Sequence, residues 1–383
     1  MIYFTSICAN YLPKAMALAA SVKRHCKDAV FVLCLVEREI PEAAARFPHF
    51  DEVVLAQDAG WENFERFVFR HSIVEASTAV KPRFMQHLMA RFGSHVKFVY
   101  LDPDVRVYGD FEELRSLLDR ASIVVCPHLL RPGNIDMEIS SLAHGAYNLG
   151  FLALARSPNA ESFLQWWADR LFRFCYDDKA RGIFTDQKWM DLAPSFFDVH
   201  ILKHHGYDFA TWSLLGSDLR DNGAGAYVVN GDPLRFIHFS GLDSGTLEKA
   251  IGWWLTADNR DCFVRLYKDY RAALEQYGQS TLGSLPWSYA NYRSGEPIAK
   301  EARLAYRDPA LWARIPDPFD ASNAELAACA AELGGSPAKG SVAPSTGLVQ
   351  GEHPWLIERV LASARRAGVG ATLVKGLRRV VGR

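Results

Sequence analysis

Two aspartates stand directly after an apolar run in this sequence. Residues 98–101 read Phe-Val-Tyr-Leu, and Asp102, Pro103 and Asp104 follow. The run predicts a buried strand, and ligands in open α/β sheets bind outside the carboxyl ends of the strands. Because Pro103 favours extended geometry for the residue before it, the two carboxylates lie on the same side of the chain. They predict a hard divalent cation, Mg²⁺ or Mn²⁺, bound together with substrate phosphates; the alternative is an ordinary Asp-Pro turn.

A second group of residues could complete such a site. His238 ends a predicted strand, and imidazole is a suitable ligand for a Mn²⁺-type ion, although a strand histidine also serves as a hydrogen-bonded structural residue. Asp186 and Gln187 follow Thr185, where the alternative is a helix N-cap. Asn148 precedes an apolar run, a place where asparagine alone usually indicates a turn.

The elements that must position these residues follow a strand–helix–strand rhythm over residues 1–125. The pattern predicts strands at 2–7, 30–36 and 53–56, a helix at 11–26, and a helical region at 61–92 that is broken at Lys81-Pro82. Strands joined by helical crossovers pair in parallel, so we expect a doubly wound, mostly parallel α/β sheet. Asn10 and Tyr11 follow the first strand, where such a sheet binds a nucleotide.

The later half of the chain is less regular and rich in aromatic residues. Strand patterns return at 227–229 and 234–238, residues 247–276 are predicted to be helical, and residues 287–307 irregular. Rings such as Trp166 and Trp167 suit sugar faces, but core packing is the favoured interpretation for any one of them.

Composition excludes several classes of protein. The chain has 383 residues, 49% of them hydrophobic, with a formal net charge of -1, so no overall field draws it to nucleic acid. Seven scattered cysteines without a C-x-x-C pair indicate a reducing compartment rather than a disulfide framework. The sequence contains neither a signal-peptide pattern at residues 2–7 nor an apolar run long enough for a membrane span, so we expect a cytoplasmic protein.

The C-terminal part has a different composition. Residues 321–352 are rich in Ala, Gly, Ser and Pro and predict a flexible linker. Residues 353–383 combine basic residues with apolar residues at helical spacing, and include seven Lys or Arg against one acid after residue 357. Such a segment suits peripheral contact with the inner face of the cell membrane, or docking on the protein body or another subunit.

Taken together, these stretches resemble the GT-A glycosyltransferases, in particular the retaining, metal-dependent galactosyl- and glucosyltransferase-like family of bacterial lipopolysaccharide synthesis and glycogenin. The resemblance covers residues 3–241 in the right order. Residues 75–82, 126–128 and 166–167 resemble a divergent bacterial branch associated with surface polysaccharides.

The resemblance implies a role for each candidate residue. Asp102, Asp104 and His238 are implied as metal ligands, with Asp102 also facing the diphosphate, and Asp186 and Gln187 as the pair beside the anomeric carbon. Further donor contacts are implied for the base (Asn10, Tyr11), the sugar (Asn148), the phosphates (Gly241) and a cation that is either Lys81 or Arg83.

The sequence departs from the family pattern at two places. The Lys-Pro-Trp expected after the His-x-x-Gly is replaced by residues 242–245, Leu-Asp-Ser-Gly, so one diphosphate-binding lysine is missing or comes from elsewhere. Asp208 stands where the divergent branch has asparagine, which leaves the role of that position open.

The resemblance implies a GT-A enzyme that uses Mn²⁺ or Mg²⁺ and transfers a hexose from a nucleotide sugar, with UDP favoured, to a glycan or lipid-linked glycan. Residues 1–110 would bind the nucleotide sugar and residues 111–320 would form the acceptor and catalytic half, with C-terminal helices. The alternatives are a non-catalytic sugar-binding module, which predicts loss of the metal ligands, and a sugar-1-phosphate nucleotidyltransferase, which predicts a glycine-rich loop after the first strand. Residues 5–10 contain no glycine.

Overall fold

The computed structural model of the chain describes residues 1–223 and 226–335. Within them the strands are β1 (Ile2–Ile7), β2 (Val30–Leu35), β3 (Glu52–Leu55), β4 (Lys97–Leu101), β5 (Val105–Val107), β6 (Ile123–Pro127), β7 (Tyr147–Ala155), β8 (Asp177–Asp178), β9 (Ile183–Phe184), β10 (His200–Ile201), β11 (Leu219–Asp221), β12 (Tyr227–Val229), β13 (Asp232–Pro233) and β14 (Phe236–His238). The helices are α1 (Leu12–His25), α2 (Glu42–Ala45), α3 (Phe64–Phe69), α4 (Ile73–Ala79), α5 (Lys81–Arg91), α6 (Glu112–Leu117), α7 (Ile135–His144), α8 (Pro158–Phe174), α9 (Ala193–Phe196), α10 (Thr246–Trp254), α11 (Arg260–Gln276), α12 (Gln279–Leu282), α13 (Lys300–Ala305), α14 (Pro309–Arg314) and α15 (Ala324–Gly335).

A seven-stranded sheet in the order β10-β6-β7-β4-β1-β2-β3 forms the centre of the fold. Strands β4, β1, β2 and β3 run parallel, and β7 runs antiparallel to both β4 and β6. The strand order changes direction at β1, which creates the switch point where open α/β sheets bind ligands. The predicted α/β class, with a doubly wound and mostly parallel sheet, is confirmed.

Both faces of the sheet are covered, and the alternation along β4 shows how. Phe98 and Tyr100 belong to a core that also contains residues of α3, α4, α5 and α8. Val99 and Leu101 belong to a second core with residues of α1 and α6. Successive side chains of a strand point to opposite faces, so a strand buried on both faces is a continuous apolar run.

The segment around Trp287 packs across the carboxyl ends of β1 and β2. The buried carboxylate of Glu37, just past β2, accepts the backbone N–H of Ala9 at 2.8 Å and that of Ser288 at 2.7 Å. The indole N–H of Trp287 donates to Val36 O at 2.9 Å. The C-terminal part of the described chain therefore fixes the first strand-to-helix turn.

The helices of the later half differ from the prediction in three places. The single helical region expected at 247–276 is two helices, α10 and α11, separated by residues 255–259, where the side chain of Asn259 accepts the N–H of Thr256 at 3.0 Å. Residues 287–307, expected to be irregular, include helix α13. The linker does not begin at residue 321, because α15 follows and packs against α13 with Leu326 buried. The rest of the predicted linker and the basic segment 353–383 lie outside the described residues.

All seven cysteines are free, as their scatter in the sequence predicts. Among the described residues, no helix is both long and apolar enough to cross a membrane.

Trp167 is a core residue rather than a sugar platform, and its packing can be tested. Its side chain is 1% exposed and stacks on Phe163 with the ring centroids 5.6 Å apart. We expect Trp167→Ala to lower the free energy of unfolding by about 3–5 kcal/mol, because it leaves a large cavity. Trp253, which is 61% exposed, supplies the control: Trp253→Ala should change it by less than about 0.5 kcal/mol. Equal losses in urea unfolding of the two variants would contradict this assignment.

Candidate active site

The carboxyl end of β4 delivers the two aspartates to one edge of the sheet. The backbone N–H of Asp102 donates to Gly150 O of β7 at 2.9 Å, which extends the β4–β7 pairing to this residue. The hydroxyl of Tyr100, two residues earlier on the same face, donates to Asp102 Oδ1 at 2.5 Å. Asp102 is therefore held by the central sheet, and Asp104 follows it two residues later.

His238 reaches this edge because β14 pairs antiparallel with β5, directly after Asp104. In the register of that pairing His238 lies opposite Val105. Its Nε2 is 3.1 Å from Asp104 Oδ1 and 3.8 Å from Asp102 Oδ2. One ligand atom from each of the three side chains lies within 4.8 Å of the others, and they form the candidate metal cluster of the described residues.

Gly150 makes room for this approach. A Cβ at this position would lie 2.4 Å from His238 Cε1 and 2.6 Å from Asn148 Oδ1. Any side chain here would displace the imidazole, so the glycine is required by space rather than by backbone conformation.

Asp208 holds the other nitrogen of His238. Its Oδ1 is 3.3 Å from Nδ1, and its side chain is 1% exposed. The Asp208 backbone has φ of 50°, a left-handed conformation that aspartate tolerates better than most residues. A carboxylate on Nδ1 fixes the proton there and leaves Nε2 available as a ligand. The sequence indicated only that this position departs from a family pattern.

The charges in this cluster compensate one another. Burial lowers the pKa of His238, but Asp104 and Asp208 outweigh it and hold the pKa well above the ordinary value. Burial raises the pKa of Asp104, yet the charge of His238 brings it below its usual range. Burial raises the pKa of Asp208 to about 6 despite its contact with His238. Asp104 and Asp208 thus favour the protonated form of His238.

Lys81 is the second buried cation of the site. Its Nζ lies 3.2 Å from Asp102 Oδ1, 2.8 Å from Asp186 Oδ2 and 3.2 Å from Leu149 O. Burial lowers its pKa, but the two carboxylates raise it well above the ordinary value. Arg83 takes no part, since its guanidinium donates to Gly60 O and Gln86. The structure thus places Lys81, and not Arg83, beside the aspartates.

Asp186 and Gln187 have different surroundings. Thr185 has φ of 43°, and its hydroxyl donates to Asp186 Oδ1 at 3.1 Å. Burial raises the pKa of Asp186, against the effect of Lys81. The amide of Gln187 accepts the N–H of Leu149 and donates to His144 O, both at 3.1 Å. Neither Thr185 nor Asp186 caps a helix, and only Asp186 reaches the charged cluster.

Asn148 lies within β7, at the bulge opposite Cys126. Its Oδ1 accepts the N–H of Gly150 at 2.8 Å, and its Nδ2 is 3.1 Å from His128 Nε2. Burial lowers the pKa of His128 to about 4, so its ring is neutral at physiological pH. His128 in turn contacts Trp212, whose ring meets His238 edge-on. Sequence reasoning did not single out His128 as a candidate.

The turn after β1 carries Asn10 and Tyr11 in a short 3₁₀ helix, Ala9–Tyr11. Asn10 Oδ1 is buried and has no hydrogen-bond partner among the described atoms. The hydroxyl of Tyr11 donates to Asp243 Oδ2, which also pairs with the ammonium of Lys14. Gly241, with φ of 85°, begins the loop that carries Asp243.

Two carboxylates and one imidazole at the switch point suit a divalent ion that prefers oxygen and tolerates nitrogen, such as Mn²⁺ or Mg²⁺. The fold and the site therefore define a doubly wound α/β protein with a candidate metal centre outside the carboxyl end of β4.

The chain is similar in sequence to one protein and in structure to others, as follows. It is 23% identical to Bacillus subtilis (strain 168) Uncharacterized protein YfnD over 291 residues, which is 74% of this chain and 92% of that protein. No family model matches the sequence. In structure it is similar to the galactosyltransferase LgtC in complex with donor and acceptor sugar analogs, with TM-score 0.38 and 16% identity over 71% of this chain and all of LgtC. It is also similar to the glycosyltransferase GlyE of Streptococcus pneumoniae TIGR4, with TM-score 0.42 and 14% identity over 76% of this chain and 66% of GlyE.

The space at Gly150 can be tested through metal binding. We expect Gly150→Ala to weaken Mn²⁺ binding by about 10- to 100-fold, because the added methyl displaces His238. Gly133→Ala is the control, since nothing lies within 4 Å of a Cβ there. Titration calorimetry measures the affinities, and thermal unfolding shows that both variants fold. Wild-type affinity in Gly150→Ala would rule out His238 as a ligand in this position.

The raised pKa of His238 predicts proton release on metal binding. A metal binds neutral imidazole, so a protonated His238 must lose its proton when the ion binds at pH 7. Mn²⁺ affinity should therefore rise with pH until the pKa of His238 in the folded protein is passed. Calorimetry in buffers of different ionisation enthalpy should give close to one proton released per ion. His205→Gln, at a half-buried histidine outside the site that pairs with Asp232, should keep this value. A binding enthalpy that is the same in every buffer would contradict the prediction.

Proposed function

We propose that the chain is a metal-dependent glycosyltransferase. It transfers a hexose-type sugar from a nucleoside diphosphate sugar, with UDP favoured, to a glycan or lipid-linked glycan acceptor in bacterial surface polysaccharide synthesis. The products are lipopolysaccharide, capsule or exopolysaccharide. The observation that carries the proposal is the convergence of Asp102, Asp104 and His238 beside buried Lys81 at the end of β4.

The charge of the leaving group explains why this site suits the reaction. Breaking the bond between sugar C1 and the diphosphate leaves a cationic sugar and an anionic diphosphate, so catalysis requires positive charge where the anion develops. When bound by Asp102, Asp104 and His238, Mn²⁺ or Mg²⁺ supplies that charge to the phosphates. Lys81 pairs with Asp102 and Asp186, and its positive charge reduces the repulsion between these carboxylates and the diphosphate.

The other donor contacts are assigned by position. The turn that carries Asn10 and Tyr11 lies after β1, at the switch point, and is proposed to receive the base. The unpartnered Oδ1 of Asn10 supports this, because a buried acceptor without a donor is costly unless a ligand supplies one. Gly241, which has a positive φ, is proposed to let the backbone approach the phosphates, and Asn148 is proposed to contact the sugar.

Asp186 is the better candidate for the group near the anomeric carbon. Its carboxylate lies in the charged cluster, whereas both ends of the Gln187 amide bond to backbone groups. In the mechanism we favour, Asp186 stabilises the short-lived sugar cation while the acceptor hydroxyl attacks on the face that the diphosphate leaves, with retention. Its ion pair with Lys81 makes Asp186 a weak nucleophile, so covalent attack on C1 is the less favoured route.

Gln187 is then proposed to act as a support for this part of the site. Its amide ties the start of β7 to the end of α7, next to Asn148.

A cytoplasmic location, with residues 353–383 contacting the inner face of the membrane, stays a prediction from the sequence.

A thermal-shift screen of nucleotide sugars tests the proposed function. UDP-, GDP-, ADP- and dTDP-hexoses are added with and without Mn²⁺, and one donor should raise Tm only in the presence of Mn²⁺. A ligand at 100 times its Kd adds about 2.7 kcal/mol to the stability of the folded state, which corresponds to several degrees. Asp104→Asn should abolish the rise, and Asp258→Asn, at an exposed aspartate outside the site, should keep it.

Turnover and stereochemistry complete the test. Incubation of the identified donor with glycan acceptors should release nucleoside diphosphate, and NMR of the product should show the anomeric configuration of the donor. An inverted product would overturn retention but not transfer. Binding without turnover on any acceptor would favour a binding module, and the absence of any metal-dependent shift would refute the donor site.

A further inference from the structure

The described residues bury two lysine side chains, Lys14 and Lys81, each 2% exposed. A lysine ammonium has three N–H donors. Lys81 has three partners, namely Asp102, Asp186 and Leu149 O. Lys14 has a single anionic partner among the described residues, Asp243, and its Nζ also lies 3.8 Å from the ring centroid of Tyr11. Lys14 therefore has donor capacity that its surroundings do not use.

Lys14 lies at the same edge of the sheet as the candidate metal cluster. It belongs to the first turn of α1, which follows β1, and β1 is the parallel neighbour of β4. Tyr11, which shares the Asp243 carboxylate with Lys14, lies in the turn after β1 at this same edge. The ammonium is therefore located where the donor is proposed to bind.

The partner of Lys14 is easy to exchange. Asp243 is 47% exposed, whereas the lysine side chain is buried. It lies in a loop bounded by Gly241 and Gly245, both with positive φ, where glycine permits backbone rotation. One oxygen of Asp243 accepts from both Lys14 and Tyr11, so a single anionic oxygen satisfies both donors.

We infer that Lys14 binds the diphosphate of the donor, and that Asp243 takes the place of a phosphate oxygen in the donor-free protein. This inference rests on the proposed function. When the donor enters, a phosphate oxygen replaces Asp243 Oδ2, and the Asp243 carboxylate turns into solvent. The buried ammonium keeps an anionic partner throughout, which avoids the large cost of an unpaired buried charge. Lys81 cannot make this exchange, because both of its carboxylates are held within the site.

The test compares nucleoside diphosphate binding with binding of Mn²⁺ alone. Calorimetry is performed with UDP, GDP, ADP and dTDP at saturating Mn²⁺, and with Mn²⁺ without nucleotide. Lys14→Met should weaken diphosphate binding at least about tenfold, the usual size for a lost charge-assisted bond. It should strengthen binding of Mn²⁺ alone, because a neighbouring positive charge is removed. A merely structural defect would weaken both.

Asp243→Asn is the complementary variant, and it changes an exposed loop rather than a buried position. It should strengthen diphosphate binding several-fold, because the competing carboxylate is gone, and it should weaken binding of Mn²⁺ alone. Lys268→Met, at an exposed lysine of α11, is the control and should change neither.

The outcomes separate this inference from the proposed function. Wild-type diphosphate affinity in Lys14→Met would overturn the inference and leave the glycosyltransferase proposal standing. Unchanged or weaker diphosphate binding in Asp243→Asn would overturn the replacement of Asp243 by phosphate, and this holds even if Lys14→Met fails to fold. A wild-type protein that binds Mn²⁺ but no nucleoside diphosphate would overturn both.

Discussion

The arrangement of the site depends on the crowding of four carboxylates at the end of one strand. Asp102, Asp104, Asp186 and Asp208 surround two buried cations, Lys81 and His238. Like charges at such distances cannot all be ionised without compensation. Burial raises the pKa of Asp186 and Asp208, and neighbouring carboxylates raise both further. A site of this kind gains from an added divalent cation, since the protein alone does not balance the charge.

The central sheet brings these groups together from distant parts of the chain. The turn after β4 supplies two of the carboxylates, and β14 supplies the imidazole through its pairing with β5. Helix α5 supplies Lys81, and the turns at 185–187 and 207–209 supply the other two carboxylates. Strand β7, antiparallel to its neighbours, places Gly150 against Asp102 and leaves space for His238. The site therefore exists only when the non-local pairings of the sheet are complete.

Local patterns in the sequence predict the strands and helices of the fold. They do not show in which direction each side chain points. The apolar run before Asp102 and the strand–helix rhythm were sufficient for the sheet. The sequence does not show whether Lys81 or Arg83 faces the aspartates. Their side chains differ by about 200° in direction around the helix, and only the packing of that helix shows which of them faces the site. The composition of residues 321–352 predicts a linker, but the alanines at its start form α15, because alanine also has the highest helix propensity.

Other long-range pairs have no signal in the sequence. Lys14 pairs with Asp243, a residue 229 positions later in the chain. The absence of the family's lysine from residues 242–245 therefore does not indicate that another cation lies beside that loop. In the sequence Asp208 is only a departure from a family pattern; its contact with His238 accompanies the bridge between Phe209 and Ile237, which joins distant segments. Such contacts follow from tertiary structure, where a single sequence has no periodic signal.

The bonds of Glu37 have a consequence for synthesis on the ribosome. This carboxylate joins the turn after β1 to Ser288, a residue 251 positions later in the chain. At about 10 residues per second, the emerging chain would wait roughly 25 s before that partner is made. During this interval the first strand-to-helix turn lacks its final support, so a nascent chain would acquire a mature turn at this position only when its last described quarter has been translated.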